Sequence, residues 1–195
     1  EADDAIVTWC VGHLVTMSYP EAYDPALKRW SLQTLPFLPK EFKYQVIDSV
    51  SKQFQIVSSL LNRPDVDIIY ICTDSGREGE YIYRLVDQMA GVKGKTRKRV
   101  WIDSQTEEEI LRGIREAKDW SAYDNLSASA YLRAKEDYLM GINFSRLLTL
   151  KYGNTVANYL KKDRTVVSVG RVMTCVLGMV VRREREIRNF VKTPF

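Results

Sequence analysis

The chain has 195 residues, of which 45% are hydrophobic, and a formal charge of +4, which is enough apolar content for one large or two small cores. No apolar run reaches membrane-spanning length and no segment reads as a signal peptide, while Cys10, Cys72 and Cys175 are too widely spaced for a disulfide framework or a zinc pattern. A cytoplasmic protein without membrane contact is expected, in which the longest apolar stretch, Val172 to Val181, is a core helix.

In chain order, Ala5 to Val15 reads as a strand. Tyr19 to Phe42, punctuated by Pro20, Pro25, Pro36 and Pro39, reads as a long connector. Val46, Val50, Phe54, Val57, Leu60 and Leu61 recur at helical spacing and predict a helix over Gln45 to Leu61, ended by Arg63-Pro64-Asp65. Ile68 to Cys72 is a continuous apolar run of the kind covered on both faces of a sheet. Tyr81, Ile82, Leu85, Val86 and Met89 then predict a helix ending near Gly91, Lys98 to Ile102 another strand, and Ser104-Gln-Thr-Glu-Glu the start of a helix through Ala117. This alternation implies a parallel sheet with right-handed crossovers. Beyond Lys118 the pattern turns helical, with one helix from Asn125 to Leu150, a connector from Gly153 to Thr165 and a second helix from Gly170 to Arg188. The expected division is an α/β domain over residues 1–118 and an α-helical module over 119–195.

The stretch from Asp67 to Glu80 carries the chemistry. A strand runs into Thr73-Asp74-Ser75-Gly76-Arg77-Glu78-Gly79-Glu80 at the mouth of a helix, and carboxylates placed there suit Mg²⁺, a hard cation that takes oxygen ligands and keeps part of its water shell. Asp74 and Glu78 are the expected metal ligands. The ordinary reading competes with this one: Ser75-x-x-Glu78 also fits a capping box, in which both side chains satisfy backbone N–H groups.

Charge is unevenly spread. Residues 151–195 hold ten Lys and Arg against three acidic residues, a local excess of seven, so residues 1–150 carry −3. Arg182, Arg183 and Arg185 interleave with Glu184 and Glu186 and read as a solvated helix face. Lys161, Lys162, Arg164 and Arg171 are better placed to meet phosphates. His13 reads as a packed, hydrogen-bonded residue, and Trp30, Trp101 and Trp120 are assigned to the core rather than to stacking on bases.

Taken together, these segments resemble the type IA DNA topoisomerases of the topoisomerase III branch. Thr73 to Glu80 is similar to the signature of the Toprim domain. Val7-Thr-Trp-Cys-Val-Gly12-His13-Leu14, Tyr23-Asp24-Pro25 and Trp30-Ser-Leu-Gln-Thr-Leu-Pro36 resemble the family's opening, and Trp101-Ile-Asp-Ser104-Gln-Thr106 its last Toprim strand and turn. Arg133-Ala-Lys-Glu-Asp137-Tyr-Leu-Met-Gly141-Ile-Asn143, Ser168-Val-Gly170-Arg171-Val172-Met173-Thr174 and Arg183-Glu-Arg-Glu186-Ile187 resemble its helical strand-binding module. Segments spread along the chain in the family's order are far more specific than one motif.

The resemblance implies a Rossmann-like Toprim sheet lacking its first strand, followed by part of the helical module. It also implies an ATP-independent, Mg²⁺-dependent enzyme that cuts and rejoins one DNA strand through a 5′-phosphotyrosyl link. Asp74 and Glu78 would hold Mg²⁺, with Glu78 and Arg77 catalytic, and Arg133, Asp137, Ser168, Gly170 and Arg171 would contact single-stranded DNA together with Lys161, Lys162 and Arg164. The expected partner is single-stranded DNA, with no nucleotide cofactor, in a monomeric, nucleoid-associated prokaryotic protein.

Departures from the family pattern are equally specific. Gly76 stands where the acidic triad D-x-D-x-E has its middle carboxylate, Met173 replaces the glutamine usual after G-R-V, and none of the eleven tyrosines lies in the nucleophile's T-Y-x-R-T context. The chain is therefore expected to lack the nucleophile, the opening strand and the glutamate on it, and to be inactive alone. A non-catalytic Toprim-like nucleic-acid-binding module is the alternative, and a primase-type or nuclease Toprim enzyme a distant third.

Overall fold

The computed structural model describes residues 4–193. In β3 (Ile68–Ile71) Ile69 and Ile71 are buried while Ile68 and Tyr70 are exposed, so period-two alternation leaves one face open and the expected cover on both faces is not found. β3 pairs in parallel with β4 (Thr96–Arg99), which pairs antiparallel with β5 (Lys118–Asp119). A separate antiparallel pair joins β1 (Val15–Met17) to β2 (Tyr44–Val46). An antiparallel pair and a mixed three-stranded sheet thus replace the single parallel sheet expected, and parallel pairing is confined to β3 and β4, whose connection contains α2 (Arg77–Ala90). The architecture is α/β followed by a helical module.

Several boundaries move for identifiable reasons. The strand expected from Ala5 begins only at Val15, because a ladder needs partners and β2 offers three residues; Ile6, Val7, Trp9 and Val11 are exposed. Pairing with β1 also takes the start of the helix expected from Gln45, so α1 is Ser51–Leu61. Between β1 and β2 the proline-rich connector forms only 3₁₀ turns, two of them capped by Asp24 and Ser31. After α3 (Glu107–Arg115), α4 (Asp124–Tyr159) runs nine residues past the expected end at Leu150 and absorbs Gly153. In α5 (Arg171–Arg188) every residue is exposed, so the core helix expected over Val172 to Val181 is corrected to an exposed one. No helix is long and apolar enough to cross a membrane among the described residues.

Compactness divides the chain into two units, one formed by the chain up to Ala22 with Glu41–Ala134, the other by Tyr23–Lys40 with the chain from Lys135. The proline-rich connector thus belongs largely to the second unit, and the division falls inside α4.

In the first unit Leu14, Val57, Leu61, Ile69, Ile71, Tyr83 and Val86 form a core shared by α1, β3 and α2; burying each such side chain contributes about 1.5–3 kcal/mol. Beside it, Val15, Tyr81, Leu85 and Ala130 form a second cluster, with Tyr81 and Tyr131 edge to face at 5.0 Å. α2 ends at Gly91, whose φ of 63° lies in the left-handed region and whose N–H returns to Asp87 and Gln88.

The second unit is tied by polar side chains of α4. Asn143 Oδ1 accepts from Phe37 N at 2.6 Å and its Nδ2 donates to Phe37 O at 2.9 Å, while Arg146 donates to Leu27 O at 3.0 Å and lies over the Trp30 ring at 5.2 Å. Extended backbone before α5 is held the same way. Val167 N donates to Thr149 Oγ1 at 2.9 Å and Val169 N to Ser145 Oγ at 2.8 Å.

Candidate functional site

The acidic turn is built from backbone outward. β3 ends at Ile71, and the chain turns through Asp74 into α2, whose N-cap is Gly76 with extended backbone and no side-chain cap. Close approach makes Gly79 obligatory: a Cβ there would lie 2.1 Å from the Asp74 carbonyl oxygen. Thr73 Oγ1 donates to Gly79 O at 2.8 Å and closes the turn.

The capping-box reading fails on both of its side chains. Ser75 Oγ instead accepts from Ile102 N at 2.9 Å, tying the turn to the segment after β4. Glu78 instead accepts from His13 Nε2 at 2.6 Å, so the chain's single histidine is hydrogen-bonded, as expected, and its partner belongs to the candidate site. Asp74, Arg77 and Glu78 are all exposed, with 68% of the Glu78 side chain accessible.

Beneath this surface lies a network that the sequence reading missed. Arg99 is fully buried and donates to Glu80 Oε2 at 3.0 Å, to Ile71 O at 3.1 Å and to Thr73 O at 2.6 Å, and also to Asp74 O. One guanidinium therefore fixes three carbonyls of the turn that carries Asp74. Glu80 is 1% exposed and takes a second arginine, Arg84, at 2.8 Å, which is itself stacked 4.2 Å from the centre of the Trp120 ring. One helical turn beyond Arg84's neighbour Tyr83, Asp87 pairs with Arg97 at 2.8 Å and accepts from Tyr83 Oη at 3.0 Å. Burial, followed by the adjacent Asp87 carboxylate, pushes the Tyr83 phenol well above its usual value. The signal was present in the sequence: Glu80 and Asp87 sit among Tyr83 and Val86 on the core side of α2, and Arg97 and Arg99 share one face of a strand. Charges in those positions require partners.

Of the expected DNA contacts, Arg171 opens α5 and donates to Asp137 Oδ2 at 2.7 Å, so the partner of Asp137 is Arg171. Arg133 is exposed on α4. Gly170 caps α5 without a side-chain bond, its own N–H donating to Thr174 Oγ1 at 3.2 Å, and Ser168 is exposed. Lys161, with φ 52°, and Lys162 turn the chain out of α4 by donating backbone N–H groups to Asn158 O and Ala157 O. Arg183 pairs with Glu186, as expected for a solvated face, and Arg188 pairs with Glu184.

The chain was compared with known proteins. A family model described as DNA topoisomerase matches residues 121–195. Over all 195 residues the chain is 40% identical to DNA topoisomerase 3 of Bacillus subtilis and 42% identical to DNA topoisomerase 3 of Bacillus licheniformis and of Shouchella clausii. Along its whole length the chain is thus similar to DNA topoisomerases of the topoisomerase 3 branch. It spans 25% of the length of each of these relatives. In this chain the donor set of the acidic turn is small: among the described residues no three His, Cys, Asp or Glu side chains are grouped to hold a metal ion. Glu80 is committed to arginines, leaving Asp74 and Glu78 as exposed oxygen donors. No atom lies within 4 Å of a Cβ built on Gly76, so there is room beside them for water. Two carboxylates and open space fit a mostly hydrated Mg²⁺.

Proposed function

We propose that this chain is the part of a type IA topoisomerase that holds the metal and grips the strand while a tyrosine elsewhere in the enzyme attacks phosphorus. In this reading residues 1–118 are a Toprim domain and 119–195 part of a helical module that binds single-stranded DNA. The observation that carries it is the acidic turn itself: Asp74, Arg77 and Glu78 face solvent on a turn whose carbonyls are clamped from beneath by Arg99.

Phosphoryl transfer needs little covalent help from the protein and much positioning and charge balance. Asp74 and Glu78 would hold Mg²⁺, which when bound neutralises phosphate charge. His13 holds the Glu78 carboxylate, restricting its rotamers before any ligand arrives. Arg77, at the first position of α2, adds a cation where helix N–H groups already favour an anion. On the second unit, Arg171, with Ser168, Gly170, Lys161, Lys162, Arg164 and the α4 residue Asp137, would meet the strand, and the Asp137 carboxylate orients the Arg171 guanidinium; Arg133, on the part of α4 that belongs to the first unit, would be a further DNA contact.

In the full-length enzyme, Glu78→Gln is expected to lower strand cleavage or rejoining by at least tenfold with an unchanged unfolding curve. The 195-residue chain alone should form no denaturation-resistant DNA adduct, since no tyrosine in it has the nucleophile's context. Supercoil relaxation at the wild-type rate by Glu78→Gln, or an adduct from the chain alone, refutes the assignment.

A further inference from the structure

One cavity of the second unit shares only Arg164 with this reading. It has a volume of about 410 Å³ and is lined by Lys28, Arg29, Trp30, Asn154, Arg164 and Thr165, with the α4 residues around Gly153 as its floor. Its size falls within the roughly 300–1,000 Å³ usual for small-ligand sites. Three of its residues are cationic and none is acidic, so the ligand is an anion. A simple anion would need neither this volume nor an indole.

Trp30 is half-buried, lies under the Arg146 guanidinium and lines the cavity. Thr165 Oγ1 is buried and makes no hydrogen bond within the described residues, although buried hydroxyls are ordinarily paired. Its carbonyl lies against α4, 3.0 Å from where a Cβ on Gly153 would stand. Asn154 adds an amide with both donor and acceptor. An aromatic ring, amide and hydroxyl groups and a ring of cations match the three parts of a nucleotide: base, sugar and phosphate.

We propose that this cavity binds one nucleotide unit of single-stranded DNA, with the base against Trp30 and the phosphate on Arg164 and Lys28. This rests on the strand-gripping role given to the helical module and adds a base-stacking subsite to it. Continuity supports a strand over a free nucleotide, because extended backbone leads from Arg164 at the cavity to Arg171 at the start of α5, a span of at most roughly 23 Å, along which Ser168 is exposed. Stacking on an indole is tolerant of base identity, so the subsite would grip without reading sequence.

The test is photo-cross-linking of oligothymidylates that carry 5-iodouracil at successive positions to the 195-residue chain, with binding followed in parallel by fluorescence anisotropy. Expected is an adduct on Trp30 from one register of the oligonucleotide, undiminished by excess thymidine monophosphate. Trp30→Leu should weaken binding by about five- to a hundredfold, Trp30→Phe by less, and Arg164→Ala should lower the salt slope by about one. Oligonucleotide that binds, and weakens on Arg171→Ala, yet cross-links only elsewhere overturns the subsite while leaving the strand-gripping role intact. Efficient displacement by the mononucleotide overturns the strand as its source. Absence of oligonucleotide binding to the folded wild-type chain removes both.

Discussion

Glu78 and Glu80 stand two residues apart on the same helix and have opposite fates. Successive helical positions differ by about 100°, so a two-residue step carries Glu80 inward to two arginines while Glu78 stays at the surface with His13. The inner glutamate shapes the turn and the outer one is available to a ligand. A motif containing both residues is thus half scaffold and half open surface, and composition does not distinguish the halves.

The sharpest way to break this contrast is Glu80→Ala. Removing one partner of a buried pair leaves Arg99 uncompensated, and the expected loss is about 3–5 kcal/mol, read from the midpoint of denaturant unfolding. A loss near that of an exposed substitution, about 0.5 kcal/mol, would mean that the turn does not depend on its network.

Alkaline titration probes the same interior. The Tyr131 phenol is pushed up to about 12 and those of Tyr81 and Tyr83 are also raised, in each case mainly by burial. Folded-state values above the unfolded one mean that the stabilisation is fully present below pH 10, the ordinary tyrosine value, and is lost as pH rises through the folded value. Ultraviolet phenolate absorbance should therefore show Tyr81, Tyr83 and Tyr131 ionising only as the fold opens. A single early transition for all tyrosines would contradict the packing.

The smallest effect on stability is expected at Gly76. Its backbone is extended at φ 178° and a side chain there meets nothing within 4 Å, so Gly76→Asp should change metal-free stability by no more than about 0.5 kcal/mol. A third carboxylate should tighten Mg²⁺ binding in a calorimetric titration. Equal affinity in both proteins would show that position 76 faces away from the ion.

How much of this was legible depends on what carries the information. Helices announced themselves through apolar period, and α2 began where its acidic turn suggested. Pairing did not, because whether Tyr44–Val46 extends a helix or joins β1 is decided by a partner some thirty residues earlier. The acidic turn was visible as a motif, yet its two local explanations, a capping box and a metal site, were separated only by long-range contacts: Ser75 to Ile102 and Glu78 to His13. Arg99 was hidden for the opposite reason. A strand reading Thr-Arg-Lys-Arg looks solvated until the carboxylates on the core face of α2 are counted against it.

The contacts that lay the chain before α5 along α4 have a common measure. Gly141, Ser145, Thr149 and Gly153 recur every fourth residue, an advance of about 6 Å per step along a helix, and the backbone groups that meet them belong to Val169, Val167 and Thr165, an advance of about 6.6 Å per step in extended chain. Helix and strand are nearly commensurate there, so α4 serves as a ruler with a tooth at every turn. An extended chain gripped at every second residue must present the alternate ones outward, and those are Arg164, Val166 and Ser168, all exposed. The spacing of four small residues on one helix thereby sets which side chains of a neighbouring segment face solvent.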